Sequence, residues 1–234
     1  MEPRRSCSFP FDRFPDQWFW SGPAGVFIDD RSQLATRFLT SPNGILFEVD
    51  GWHVPLKWTD MNSNHERVLD QFTRQALPFA SAPSIRNREA LDRIVRMAEA
   101  GPRDVVLDVA CGPGLLVCAF ATVVEHATGI DLTPAMLEQA RREQQQQGLD
   151  NITWLQGDVL PLPFSDETFS IVTARFAFHH FPNPLAVLLE MRRVCKMAGC
   201  ILVADTAPAE DKAANLNAME RLRDPSHVRA MPVA

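Results

Sequence analysis

"VLDVACGPG", residues 106–114, sets an aspartate inside an apolar run and then breaks the run with two glycines around a proline. Such a run closed by such a turn reads as a buried strand, and the following "LLVCAFATVV" as the helix that the turn opens. Outward from this unit, strands and helices alternate. "HATGID" is a strand, "TPAMLEQARREQQQQG" a helix, "NITWLQGD" and "FSIVTARF" strands, "PNPLAVLLEMRRVC" a helix and "CILVADT" a further strand. Thr133 stands at the cap of its helix with Pro134 at the first helical position. The rhythm predicts an α/β fold with a doubly wound, mainly parallel Rossmann-like sheet, whose ligand sits beyond the carboxyl ends of the strands. The "QQQQ" run is expected to be a solvated helix face.

The chain has 234 residues, of which 46% are apolar, enough for a packed core. Its net charge of -6 provides no cationic field for a polyphosphate backbone, so no nucleic-acid partner is expected. The five cysteines (Cys7, Cys111, Cys118, Cys195, Cys200) form no CxxC pair, and no histidine stands at metal-ligand spacing. They read as reduced and mostly core-filling, with no metal. Prolines and aspartates interrupt the N-terminus before an apolar signal segment can form, and the longest apolar run is too short to span a bilayer. A cytoplasmic location without a membrane span is the expectation. Composition changes near residue 60. Residues 1–60 read as a Trp- and Pro-rich extension with strand-like runs at "GVFID" and "ILFEVDGWHVPLKW", the latter turning at "VDGW". Residues 61–234 read as the main domain, entered by helices at "NHERVLDQFTRQALPF" and "SIRNREALDRIVRMAEA", the second stopped by Gly101 and Pro102.

The glycine turn admits three cofactor chemistries. A phosphate-binding P-loop needs Gly-Lys-Ser/Thr, but Leu115 and Leu116 follow Gly114. A nicotinamide or flavin fold wants a third glycine where Val117 stands. Asp108 argues further against both, because a carboxylate beside the turn repels a pyrophosphate on the helix N-terminus and attracts an ammonium group. S-adenosylmethionine meets that requirement: it has no phosphate and carries an amino group and a sulfonium. Asp131, ending the second strand, is placed to accept bonds from both ribose hydroxyls, and Asp158, after the third strand, to take the adenine amino group. Cys111, Gly112 and Gly114 let a ligand approach the backbone, and Met136 and Gly157 are counted with the cofactor-binding residues.

In order, "VLDVACGPG", "GIDLTPAMLEQA", "GDVLPLPFSDETFSIV", "FAFHHF" and "EMRRVCKMAG" resemble the class I S-adenosylmethionine-dependent methyltransferases. The likeness is to the type 11 methyltransferase domain, with the ubiquinone/menaquinone C-methyltransferase-like proteins, over about residues 62–230. The resemblance implies methyl transfer to a small-molecule acceptor and cofactor contacts at Asp108, Ala110, Gly112, Gly114, Asp131, Leu132, Asp158, Val159 and Arg175. It also implies that the "DQFTRQALPF" helix, with Phe72 and Gln75, lids the cofactor. His179 and His180 are candidates for a base toward an acceptor that must lose a proton. The alternative is that one packs while the other caps or bonds locally. Arg175 reads equally as a ligand contact or an exposed strand-end residue, Cys111 as a turn residue rather than a nucleophile, and Asp-Pro-Ser-His at 224–227 as a helix-end cap or turn.

Two departures from the family pattern stand out. "RVCKMAGC" replaces a Lys-Pro-Gly-Gly turn, so Ala198 would be strained if that turn required a positive φ there. After Asp205 the chain reads as loop, helix and tail where the family has an antiparallel strand hairpin. The hairpin is therefore expected to be missing, leaving the fifth strand as an exposed apolar edge open to self-association. A truncated product is the favoured explanation; a covering partner and the N-terminal "GVFID" and "ILFEV" strands are the others. Besides the methyltransferase, a methyltransferase-fold scaffold that binds the cofactor without turnover and, less favoured, a nicotinamide-dependent oxidoreductase are the alternatives.

Overall fold

The computed structural model describes residues 25–29 and 58–230, with side chains from Asn64 onward. In chain order the elements are β1 (Gly25–Asp29), α1 (Trp58–Ser81), α2 (Arg88–Met97), β2 (Val105–Val109), α3 (Leu115–Ala121) and β3 (His126–Asp131). There follow α4 (Pro134–Gln147), β4 (Ile152–Gln156), β5 (Phe169–Arg175), a 3-10 turn at Phe178–His180, α5 (Pro184–Val194), β6 (Cys195–Asp205) and α6 (Glu210–Arg223).

The strands form one six-stranded sheet in the order β1-β6-β5-β2-β3-β4. β2 to β6 are parallel, as the alternating rhythm requires, and helices cover both faces. Alternation along the strands divides two apolar clusters. Val106, Ile171 and Leu202 pack with Leu91, Ile94 and Phe120, while Leu107, Val172 and Val203 pack with Val187 and Met191. Burial on both faces explains why these strands read as nearly continuous apolar runs. The chain leaves β2 toward β3 on one side and reaches β5 on the other. The carboxyl ends of β2 and β5 therefore border a topological switch point, where open α/β sheets bind ligands.

Sequence and structure differ at several points. β6 begins at Cys195, so "CKMAG" is already strand, and Ala198 is not among the residues with positive φ; the strain expected there is absent because no turn precedes the strand. The outer edge of β6 is paired: β1 runs antiparallel to it, with Gly25 opposite Asp205 and Asp29 opposite Ile201. "GVFID" thus covers the edge expected to be exposed, and no strand follows β6 among the described residues. "ILFEVDGWHVP", Cys7 and three of the N-terminal tryptophans lie outside the described residues, while Trp58 opens α1. α2 ends at Met97, before Gly101, with Glu99 at φ 49°. Thr133 occupies its cap position but its side chain makes no cap bond. Gln144 is not simply solvated, since its Oε1 accepts the indole N–H of Trp154 at 2.7 Å. Cys111, Cys118, Cys195 and Cys200 are free and buried. No described helix is long and apolar enough to cross a membrane.

Candidate functional site

The ends of β2, β3 and β5 open on a cavity of about 960 Å³, measured out to its mouth. Its floor is the turn after β2, where Ala110 (φ 55°) and Gly112 (φ 53°) take left-handed conformations. For Ala110 this costs on the order of 1 kcal/mol. Tight bonds hold the turn: the Cys111 N–H donates to the Ile130 carbonyl at 3.0 Å, and the Gly112 N–H to Asp131 Oδ2 at 2.7 Å. Asp131 Oδ1 accepts the Thr133 N–H at 2.8 Å. Each oxygen keeps a second lone pair for a ligand donor. Burial raises the Asp131 pKa, and the Thr133 and Gly112 N–H groups oppose that rise.

Asp108 is 2% exposed, and among the described residues its one side-chain donor is the Thr173 hydroxyl, 2.6 Å from Oδ1. Burial pushes its carboxyl up to about 7, against the Thr173 bond and the Arg175 charge, with the Asp131 charge adding to the rise. A buried, sparsely bonded carboxyl on a cavity wall is a site for a cationic group, whose charge would restore the ionised form. Arg175 is engaged elsewhere: its Nη1 donates to the Ile85 carbonyl at 3.1 Å, and its guanidinium carbon lies 4.4 Å from the Phe176 ring centre. It ties the α1–α2 connection to the end of β5. Its pKa is lowered by burial, with Asp108 opposing.

α1 forms the roof. Phe72 packs edge-on against His180 at 5.0 Å and against Phe79 at 5.7 Å between ring centres. Asn64 Nδ2 donates to the His180 carbonyl at 2.8 Å, pinning the helix to the far wall. His65 Nε2 stands 3.3 Å from Asp158 Oδ2, while Asp158 Oδ1 accepts the Val159 N–H at 2.6 Å.

Of the residues singled out in the sequence, Phe72, Asp108, Ala110, Cys111, Gly112, Asp131, Leu132, Met136, Asp158, Val159, Arg175 and His180 line this cavity. Gln75, Gly114, Gly157 and His179 do not. Gln75 is half-buried on α1 without reaching the wall. Gly114 (φ 74°) serves packing, because a Cβ there would lie 2.4 Å from Trp154 Cη2 and 2.7 Å from Ala140 Cβ. Gly157 sits against Ile130 and donates its N–H to the Asp131 carbonyl at 3.0 Å. His179 is turned to Asp205, with Nδ1 2.5 Å from Oδ1 and its backbone N–H 3.0 Å from Oδ2. The structure adds Asn64, His65, Phe79, Ile85, Phe176 and Phe181 to the lining. No local pattern marks them, because each reaches the cavity through tertiary packing. Cys111 is no nucleophile: burial first, then the Asp131 and Asp108 charges, holds its thiol well above the ordinary range.

Residues 107–203 match the type 11 methyltransferase family model, described as a methyltransferase domain. The chain is similar to the uncharacterized methyltransferase YcgJ of Bacillus subtilis (strain 168), at 35% identity over 160 residues, 68% of this chain and 63% of that protein. It is also similar to the demethylmenaquinone methyltransferase of Bacillus cytotoxicus, at 29% identity over 62% of this chain and 64% of that protein. Among solved structures, a putative methyltransferase from Bacillus halodurans C-125 superposes with a TM-score of 0.59 at 38% identity, covering 62% of this chain and 63% of that one. The crystal structure of YcgJ gives the same TM-score, 0.59, at 36% identity, covering 62% and 63%. The chain spans a little less than two thirds of the length of these two curated relatives and about half of others it matches.

Proposed function

The chain carries a class I methyltransferase domain of the type 11 family, and from that premise we propose that it transfers a methyl group from S-adenosylmethionine to a small organic acceptor. The observation that carries the reading is the pair of buried carboxyls, Asp108 and Asp131, on either side of the left-handed turn at Ala110–Gly112. Two carboxyls beside the turn suit a ligand with an ammonium group and vicinal hydroxyls and repel a pyrophosphate. In this reading Asp108 receives the amino group and Asp131 the ribose hydroxyls. Asp158 receives the adenine amino group once His65 yields its Oδ2, and Leu132, Met136 and Val159 supply apolar contact. When bound, S-adenosylmethionine supplies a methyl group already activated on a sulfonium. The protein's own share is then alignment and exclusion of water, for which the α1 roof and Phe72 are placed.

The acceptor enters on the side of Phe72, Phe176, Phe181 and His180, an apolar wall interrupted by one imidazole. An apolar or aromatic small molecule suits that wall, and His180, rather than His179, is the residue placed to meet its polar group. Calorimetric titration with S-adenosylhomocysteine tests the proposal. Saturable binding that is lost in Asp131→Ala is expected. No heat at high micromolar ligand, or binding indifferent to that substitution, overturns it.

A further inference from the structure

Asp224-Pro-Ser-His227 forms the turn that ends α6, as its sequence suggests, and that turn is buried at Asp224, Ser226 and His227. Asn217 on α6 clips the segment back, since its Oδ1 accepts the Ala230 N–H at 2.6 Å and lies 2.7 Å from His227 Nε2. The Val228 and Arg229 N–H groups donate to the His179 carbonyl at 2.8 and 3.1 Å. This arrangement sets Ser226 Oγ 3.1 Å from His180 Nδ1, 46 positions away in sequence. The same Oγ lies 2.5 Å from Asp224 Oδ1.

A serine hydroxyl has one proton, and an ionised carboxylate only accepts. The Ser226 proton therefore goes to Asp224, and His180 Nδ1 must be the donor to Ser226 Oγ. The other tautomer would set two lone pairs against each other at 2.5 Å between Ser226 and Asp224. With Nδ1 protonated, the neutral ring has a bare Nε2. No described side chain bonds that atom, although His180 is only 8% exposed and lines the cavity. Burial, and then the neighbouring His179, push the His180 pKa far down, which keeps the ring neutral. A buried acceptor without a partner is destabilising, a cost removed when a ligand supplies a donor.

Resting on the methyl-transfer reading, we propose that Asp224 and Ser226 are positioning residues that hold His180 as its Nδ1–H tautomer, so that Nε2 receives the hydrogen bond of a hydroxyl-bearing methyl acceptor. The acceptor class is thereby narrowed to molecules that present an O–H beside an apolar body. Fixing a tautomer through a second group is the role that a carboxylate plays behind a catalytic imidazole, here relayed through one hydroxyl.

Long-range ¹H–¹⁵N correlation of the imidazole nitrogens in the full chain at neutral pH tests this, with His180 assigned through His180→Gln. The expected wild-type pattern is a protonated Nδ1 and a bare Nε2. Asp224→Ala and Ser226→Ala should each give a mixture of tautomers, because the first removes the acceptor of the Ser226 proton and the second the hydroxyl itself. Asp224→Asn should keep the wild-type tautomer, since its carbonyl oxygen stays on the Ser226 N–H and still accepts from Oγ. Phenol should shift the Nε2 signal and anisole should not. A wild-type proton on Nε2, a tautomer unchanged in both alanine variants, or equal responses to phenol and anisole overturns the proposal. Should the buried alanine variants fail to fold, the wild-type spectrum and the comparison of phenol with anisole still decide. S-adenosylhomocysteine affinity should be unchanged in these variants. If the wild type fails to bind it, the cofactor reading falls, while the tautomer stands or falls on its own spectrum.

Discussion

The two walls of the cavity are built by different means. The acidic wall is mostly local: its turn and both carboxyls come from one strand-turn-helix-strand unit, in which Gly112 bonds Asp131 across 19 positions, with Asp108 bonding outside it to Thr173. The histidine wall is assembled from afar, with Asn64 reaching His180 across 116 positions and Ser226 reaching it across 46. In the proposed reading a nucleoside-shaped ligand is held by a portable motif, while the surface facing the methyl acceptor depends on segments at both ends of the described chain. Changes in those segments could retune acceptor choice without disturbing the turn.

The largest effect expected from breaking the local wall is at Gly114. Gly114→Ala combines a left-handed φ of 74° with a Cβ 2.4 Å from Trp154 Cη2, and should cost about 3 kcal/mol, read as a fall in the urea midpoint. An unchanged midpoint would show that the turn is not packed against Trp154. Next, Asp131→Ala should weaken S-adenosylhomocysteine binding by about a hundredfold, as expected for loss of hydrogen bonds to a charged group. Circular dichroism should confirm that the fold is retained.

A smaller effect sits at Asp108 and carries a pH signature. Its carboxyl lies at about 7 in the folded chain, and an ammonium ligand favours the ionised form, so binding expels a proton. Affinity should rise between about pH 6 and 7, by up to about tenfold per pH unit, and level off above the folded pKa. Asp108→Asn should flatten that rise. For the ligand-free fold the sign is opposite. A raised carboxyl contributes stability that is fully present below its ordinary value of 3.8 and is lost as pH rises through about 7. The smallest effect is at His65, which faces Asp158 with both side chains 32% exposed. His65→Ala should tighten S-adenosylhomocysteine by about threefold or less, the scale of an exposed pair; weakened binding would show that His65 supports the ligand rather than competing with it.

The same contrast explains what could be read from the sequence. The parallel strands and the acid-fronted turn announce themselves because a strand buried on both faces must be apolar, and a turn after it must carry small residues. Asp108, Asp131 and Asp158 reach one cavity because each follows from its position at a strand end. Gly114 carries the same signature as Gly112, yet its Cβ space is filled by Trp154, and nothing in the motif separates the two roles. His179 and His180 are adjacent, so only their partners, Asp205 and Ser226, distinguish a structural imidazole from one on the cavity. Those partners lie in other elements, and a short polar segment such as Asp-Pro-Ser-His carries no trace of being buried.

The pairing of β1 with β6 also bears on the order in which the molecule is made. Gly25 meets Asp205, so a strand closes against one synthesised long after it. Closure over so long a loop contributes to a high contact order and slow folding. Until β6 leaves the ribosome, β1 lacks the partner it has in the folded sheet and is open to pairing elsewhere.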